Sequence, residues 1–520
     1  MNIGKNTAMK SFKKLLILCL SGALILTGTA HATDSWYVDD SAPDDFIGLR
    51  WIEDVTRGVS LSYLQTDKKI CSTLSDLSCR NSNWTEEIIL PPCSSKIIEN
   101  CVVGMSVGSN RQSLIAGKLI RTINSPKIPE DKSLGVPYAG SASIWTVPGQ
   151  NHSGGESKYA VIARLSYRGN SKTSNLTGFQ ASIVPVSERP DGGNYMRLID
   201  VDTFEFHIGN CIYQEAGNCG VAQDWSDGAV GSLSLRIPKV ATGWMYGRLF
   251  EPSLSVNSIS GSQSNLLKIV GEPVTVQGSR PLVEFPNLPS KLETFLASQT
   301  GTGSIEKTGL YSRGGYVFSQ VTDTTDSRWF DMWFPYTNDK ADALLDYWNI
   351  KSIPNNFDSP QAQKCLGGKS IVGLVTSNSM LYTGSPPSFD GNALNYRVTG
   401  LHFMPDGKTP FLGSYDLVMR DSAAQCLYGE NSLPASANVE IVNSDGNRLV
   451  ATKSLVRENG WLRLSINGFT FSKPIIRVNL GSNMTNKSIA PEKSVICIKG
   501  KITTQVTAFK PTCPKGYKRK

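Results

Sequence analysis

The chain has little histidine, little helical periodicity and no familiar catalytic motif. It carries four histidines in 520 residues and no Cys-x-x-Cys pair, which excludes the usual ligand sets of structural zinc. It also lacks a Gly-x-Ser-x-Gly pentapeptide, and with it the strained elbow that presents a hydrolase serine. After residue 26 no apolar run is long enough to cross a bilayer. Charged residues make up only 18% while aromatics reach 9%, a balance that excludes a coiled coil or a wholly disordered chain. A globular protein of roughly two to four domains is expected.

What is present begins with an export signal. Lys5, Lys10, Lys13 and Lys14 precede the apolar stretch from Leu15 to Leu26, and Ala30-His31-Ala32 supplies the small-x-small pattern of a cleavage site. The pattern predicts a signal peptide over 1–32, cleavage after Ala32, and a secreted or cell-surface protein. Cys19 is no lipidation site, because Leu18 before it is too bulky and the cysteine lies inside the apolar run.

Cleavage removes four lysines and no acid, lowering the formal charge from +8 to +4. Eight basic residues and no acidic one lie from Lys493 to Lys520, so the rest of the mature chain carries −4. The tail residues Lys499, Lys501, Lys510, Lys515, Lys518, Arg519 and Lys520 are therefore candidates for contact with an anionic envelope polymer or glycan. Export disfavours nucleic acid as a partner.

Ten cysteines survive maturation, an even set that suits an oxidising compartment: Cys71, Cys79, Cys93, Cys101, Cys211, Cys219, Cys365, Cys426, Cys497 and Cys513. Three pairs are each eight residues apart, a spacing at which two hairpin arms bring Cβ atoms within reach. Sequential pairing is expected. On a chain-entropy account each short loop is worth ~2.6 kcal/mol and the Cys365–Cys426 loop ~4.3 kcal/mol. An even oxidised set leaves no free thiol for cysteine-protease chemistry.

Period-two alternation dominates the rest. Leu233, Leu235 and Ile237, then Leu462, Leu464 and Ile466, then Ile476, Val478 and Leu480 each form the apolar face of a half-buried strand. Asp-Gly turns at 191–192, 227–228, 390–391, 406–407 and 445–446 suit tight connections. One short helix is predicted over Asn338–Trp348, from Ala341, Leu344, Leu345 and Trp348. The fold class is all-β: a disulfide-stapled multi-domain protein with a C-terminal β-sandwich and minor helix. The expected organisation is a β-rich region over 33–350 with a possible break near 126–137, a Pro/Asn/Ser linker over 351–364, a β-sandwich over 365–480 and a basic, disulfide-closed tail over 481–520.

A resemblance enters at the C-terminus. Cys497-Ile-Lys-Gly-Lys501, Val506-Thr-Ala508 and Pro511-Thr-Cys-Pro-Lys-Gly-Tyr-Lys518 resemble a short tail of secreted actinobacterial surface proteins of unknown function. The preceding segments Gly373–Met380, Leu394–Tyr396, Tyr415–Val418, Cys426–Tyr428, Gly460–Leu462 and Gly468–Phe471 are similar to a domain that often accompanies it. The resemblance covers about the last 155 residues and implies a surface location without an activity.

Other chemistry is sparse. Gly367-Gly-Lys-Ser370 mimics the end of a phosphate loop, but Gln363 stands where its first glycine belongs. Asp39-Asp40 with Asp44-Asp45, and Asp323, Asp326 and Asp331, read as solvated loop acids rather than a calcium site. In Arg328–Tyr336 alternation sets Phe330, Met332 and Phe334 on one side and Trp329, Asp331 and Trp333 on the other, a candidate glycan or protein platform. The competing reading buries both faces between sheets. No cofactor and no metal is implied. The favoured function is a non-enzymatic surface protein binding a wall or extracellular glycan or another surface protein. The alternative is a secreted carbohydrate-active hydrolase with an accessory β-sandwich, whose two carboxylates would be invisible in sequence.

Overall fold

The structure is a computed structural model of the chain. It describes residues 84–519 except 124–128, 171, 191–210, 216–217, 280, 285–288, 295–311, 314–315, 319–329, 331, 354–356, 358, 368–369, 430–437, 443–447, 450–451, 472–474, 481–492, 500–501 and 509–517. The chain divides into two compact units, Met1–Leu480 and Gly481–Lys520.

Strands follow one another almost without interruption. The first are β1 (Trp84–Ile89), β2 (Cys101–Gly108), β3 (Ile115–Ala116), β4 (Lys118–Thr122), β5 (Ser143–Thr146), β6 (Lys158–Gly169) and β7 (Ser174–Pro190). Next come β8 (Cys211–Glu215), β9 (Asn218–Ala222), β10 (Val230–Pro238), β11 (Gly243–Arg248), β12 (Phe250–Ser258), β13 (Ser264–Glu272) and β14 (Val274–Gly278). Short strands β15 (Leu282–Glu284), β16 (Ser312–Arg313) and β17 (Tyr316–Phe318) precede β18 (Ala343–Tyr347), β19 (Asn349–Ser352) and helix α1 (Pro360–Leu366). There follow β20 (Ile371–Ser377), β21 (Leu381–Tyr382), β22 (Ser388–Phe389), β23 (Leu394–Thr399), β24 (Leu412–Arg420) and helix α2 (Asp421–Tyr428). The last are β25 (Asn438–Val442), β26 (Arg448–Leu449), β27 (Thr452–Glu458), β28 (Trp461–Thr470), β29 (Ile475–Asn479), β30 (Lys493–Lys499), β31 (Ile502–Ala508) and β32 (Lys518–Arg519). The all-β class with minor helix holds.

A thirteen-stranded sheet organises the first unit, in the order β27-β28-β24-β20-β11-β19-β7-β6-β5-β4, with β1 beside β6 and the β8–β9 hairpin beside β7. A five-stranded sheet, β12-β13-β10-β2-β3, shares one core with it. Leu233, Leu235 and Ile237 pack there with Leu165, Phe179, Met245 and Ile350. A six-stranded sheet, β21-β23-β29-β25-β26 with β22 beside β23, shares a second core. Tyr396, Val398, Ile476 and Val478 pack there with Trp244, Val375, Leu417 and Leu464. The alternating apolar sets read from sequence are thus the inner faces of strands in all three sheets.

Several expectations change. The linker and sandwich boundary near 351–364 falls inside a continuous sheet: β20 pairs parallel with β11, and α1 covers 360–366, its N-terminus capped by the Ser359 side chain. Proline at the first helical turn needs no backbone donor, so Pro360 starts α1 rather than marking a linker. The region 126–137 likewise interrupts no sheet, since β4 and β5 pair on either side of it and Ile123 N donates to Ala142 O.

The helix predicted over Asn338–Trp348 is instead a turn followed by β18, with Trp348 joining it to β19. Asn338 and Asp339 adopt φ of 52° and 56°, which ends any helical run. Ala343, Leu345 and Tyr347 then face one core in period two, paired with β14. Leu344 and Leu345 fit a helical and a strand pattern alike, and a partner strand decided between them.

Two disulfides are placed in full. Cys93–Cys101 closes the loop before β2, and Cys365–Cys426 joins α1 to α2, which both pack on the second core. Cys219 is also disulfide-bonded. Cys211 lies in β8 and Cys497 in β30, whereas Cys71, Cys79 and Cys513 lie outside the described residues. Of the Asp-Gly turns, Gly228, Gly391 and Gly407 take φ of 70°, 93° and 65°, as the motif requires.

Candidate functional site

The aromatic segment expected to form a platform winds helically. Phe330, Met332 and Trp333 lie in helical turns that continue as a 3-10 turn over Phe334–Tyr336, with Pro335 supplying no donor. Helical winding puts positions three apart on one side, so Phe330 and Trp333 enter the same apolar cluster with Val283, Leu292, Met380 and Leu401. Trp333 is 1% exposed and offers no stacking face. This corrects the outward placement of Trp333. Trp329 and Asp331 lie outside the described residues.

The same segment delivers a polar pair that alternation does not reveal. Immediately after it, the positive φ of Asn338 and Asp339 turns the Asp339 carboxylate onto the segment before β24. Asp339 Oδ1 accepts from His402 N at 2.9 Å, and Asp339 Oδ2 lies 2.6 Å from His402 Nδ1. Both side chains are about one-third exposed, at 32%. A carboxylate on Nδ1 fixes the orientation of the imidazole.

A second polar cluster is buried between the thirteen-stranded sheet and β12 of the five-stranded sheet. Asp416, on β24, lies opposite Thr376 on β20 and Ser465 on β28 in the sheet register. Its Oδ2 accepts from Thr376 Oγ1 and from Glu251 N, both at 3.2 Å, and its Oδ1 accepts from Ser465 Oγ. Glu251 sits in a bulge of β12 with φ of 47°, and its carbonyl accepts from Arg111 Nη2 and Arg463 Nη1. Burial raises the Asp416 carboxyl to about 7 against the opposing effect of its donors, and burial raises Glu272 nearby. Apolar neighbours in Tyr415-Asp-Leu-Val418 were the only sequence signal for this acid.

β1 carries two further acids. Glu86 is 1% exposed, and neither of its oxygens has a hydrogen-bond partner among the described residues. It lies opposite Tyr167, and burial together with the Asp131 charge raises it to about 7. Glu87 is raised to about 7 by burial too, although it accepts from Ser166 Oγ. A cavity of about 180 Å³ opens beside β7, β11 and β19, where Phe179, Met245, Ile353 and Ile371 line it with Thr177 and Thr242, and its lining holds no carboxylate.

The basic tail forms a three-stranded antiparallel sheet, β31-β30-β32. Lys518 and Arg519 stand opposite Ile498 and Cys497, so the last strand returns beside Lys499 at the β30–β31 turn. Both Lys518 and Arg519 are exposed. Lys501, Lys510, Lys515 and Lys520 lie outside the described residues.

Among the described residues, no three His, Cys, Asp or Glu side chains gather as a metal site, and no helix is long and apolar enough to cross a membrane. Compared with known proteins, the chain matches no family model, no curated protein and no solved structure.

Proposed function

We propose that this is an exported, non-enzymatic binding protein of the cell surface, held to an anionic envelope polymer or glycan by its cationic C-terminal sheet. The observation that carries this reading is the return of β32 onto β30. Pairing Lys518 and Arg519 with Ile498 and Cys497 concentrates charge near Lys499, in a segment of eight basic and no acidic residues. Apposed like charges cost folding energy unless a counter-ion accepts them, and a polyanion recovers that cost. The signal pattern, the disulfides and the resemblance to actinobacterial surface proteins support the same location. The hydrolase alternative keeps chain length and Trp329 and Asp331, outside the described residues, as its support, while Trp333, being buried, adds nothing to it.

The test is cosedimentation of mature Thr33–Lys520 with isolated cell-wall sacculi across a salt series. A full-length variant carrying Lys499→Gln, Lys501→Gln, Lys518→Gln and Arg519→Gln is run beside it. Binding by the parent, release by salt and an about tenfold loss in the variant are expected. Equal, salt-insensitive binding by both would move recognition to the first unit, and release of soluble sugar from the sacculi would restore the hydrolase.

A further inference from the structure

The connection between β5 and β6, residues 147–157, is held by an imidazole. His152 is 3% exposed, and both of its ring nitrogens are engaged. Gly154 N donates to Nδ1 at 3.1 Å, so Nδ1 carries no proton; Nε2 therefore carries it and donates to Val186 O on β7, also at 3.1 Å. A neutral ring satisfies this arrangement and a charged ring does not. A proton on Nδ1 would face the Gly154 N–H, setting two donors head to head in a buried place.

The same two-residue turn occurs elsewhere among the described residues at Asn110, Asp131, Asn170, Asp390 and Asp406, where a side-chain oxygen accepts from the N–H two positions on. An amide oxygen does not titrate, and an ordinary aspartate does so only near about pH 4. At 152 the acceptor is instead a nitrogen that takes up a proton near neutral pH. The turn fastens more than itself. Ser153 N donates to Asp224 O and Ser226 Oγ to Asn151 O, which ties the loop to the segment before β10. Tyr159 lies edge-on to the imidazole and 5.5 Å from Trp225, and its hydroxyl donates to Gln150 O.

The charges acting on the ring are Glu156 on the loop, Lys158 on β6 and Arg189 on β7; Glu188 pairs with Lys158, and the facing segment carries Asp224 and Asp227. Burial lowers the His152 pKa below the ordinary 6.5, Arg189 and Lys158 add to that, and the Val186 hydrogen bond and Glu156 oppose it. Because the folded value is the lower one, the closed loop is fully held above about pH 6.5 and weakens as pH falls below it, where the open loop binds the proton first. Glu156 is held below its ordinary value despite burial, by Lys158 and Arg189, and keeps its charge in that range. We propose that His152 is an acid-operated catch: charging its ring releases the 148–156 loop from the 223–227 segment and uncovers Tyr159 and Trp225. The catch stands independently of the anionic-polymer reading, which concerns the tail.

The experiment is hydrogen exchange of mature Thr33–Lys520 at pH 8 and pH 5, read by mass spectrometry and corrected for intrinsic rates. The readout is local, because the buried acids move the global denaturant midpoint in the opposite sense. A peptide spanning 148–157 is expected to exchange at least about fivefold faster at pH 5, whereas one spanning the Asp390 turn holds steady. His152→Asn, whose amide oxygen can accept from Gly154 N without titrating, is expected to abolish the difference. Loop exchange that does not change with pH, or that changes equally in His152→Asn, overturns the proposal. Should that variant fail to fold, NMR titration of the His152 ring in the parent decides. A ring that charges with the same midpoint as the loop opens supports the catch, and a loop that opens while the ring stays neutral overturns it.

Discussion

Trp244 and Met245 are neighbours in β11 and fill different cores. The indole enters the core shared with the six-stranded sheet, and the thioether enters the one shared with the five-stranded sheet. Gly373, opposite Trp244 on β20, leaves room for the ring; an added Cβ would lie 2.4 Å from it. The thirteen-stranded sheet is thus a common wall, and its central strands are apolar on both faces as a doubly covered sheet demands.

Damage to either face should therefore be felt by the whole unit. Trp244→Ala and Met245→Ala are each expected to cost about 3 kcal/mol, with a single unfolding transition retained. Denaturant titration checks this, and two separate transitions in either variant would show that the cores fold independently.

Stability should fall between about pH 4 and pH 7. Glu86, Glu87 and Asp416 are raised in the fold to about 7 from ordinary values of 4.5, 4.5 and 3.8. In that window the folded state holds protons that the unfolded state has released, so stability is full below the unfolded values and is lost as pH rises through the folded ones. Glu156, Glu188 and Asp390 are lowered by their hydrogen-bonding and cationic partners and act oppositely, so their stabilisation fades as pH falls below the ordinary carboxylate range. Denaturant midpoints at pH 5 are expected to exceed those at pH 8.

Glu86 isolates this effect because its oxygens lack hydrogen-bond partners among the described residues. Glu86→Gln is expected to raise stability at pH 8 by about 1–3 kcal/mol and to change little at pH 5. The difference between the two pH values is the readout, and an equal gain at both would show that charge is not the cause.

Cys365–Cys426 clamps α1 to α2 across a loop of 61 residues in sequence separation. Replacing both cysteines by serine is expected to cost about 4 kcal/mol, measured against the parent under oxidising conditions. The parent under reducing conditions should show a larger loss, because Cys93–Cys101 and the Cys219 disulfide are reduced as well.

Trp333→Ala is expected to destabilise by about 3–5 kcal/mol, the cost of emptying a buried indole site. Thermal unfolding reads it directly. A fully stable variant that loses glycan binding would return Trp333 to the surface role suggested by alternation.

By itself the sequence determined the cationic run at the C-terminus, the all-β class and the inward faces of strands such as β10, β28 and β29. Those properties are local: period two, turn chemistry and charge runs are written in consecutive residues. Only the tertiary structure decided that β20 pairs with β11, Trp244 lying opposite Gly373, that Ala343–Tyr347 is a strand and that Trp333 is buried. It alone brought Asp416 to Glu251, and Asp339 to His402. Strand partners and the lining of a core come from distant segments, and a pattern such as Leu344-Leu345 satisfies a helix or a strand until a neighbour offers its backbone hydrogen bonds.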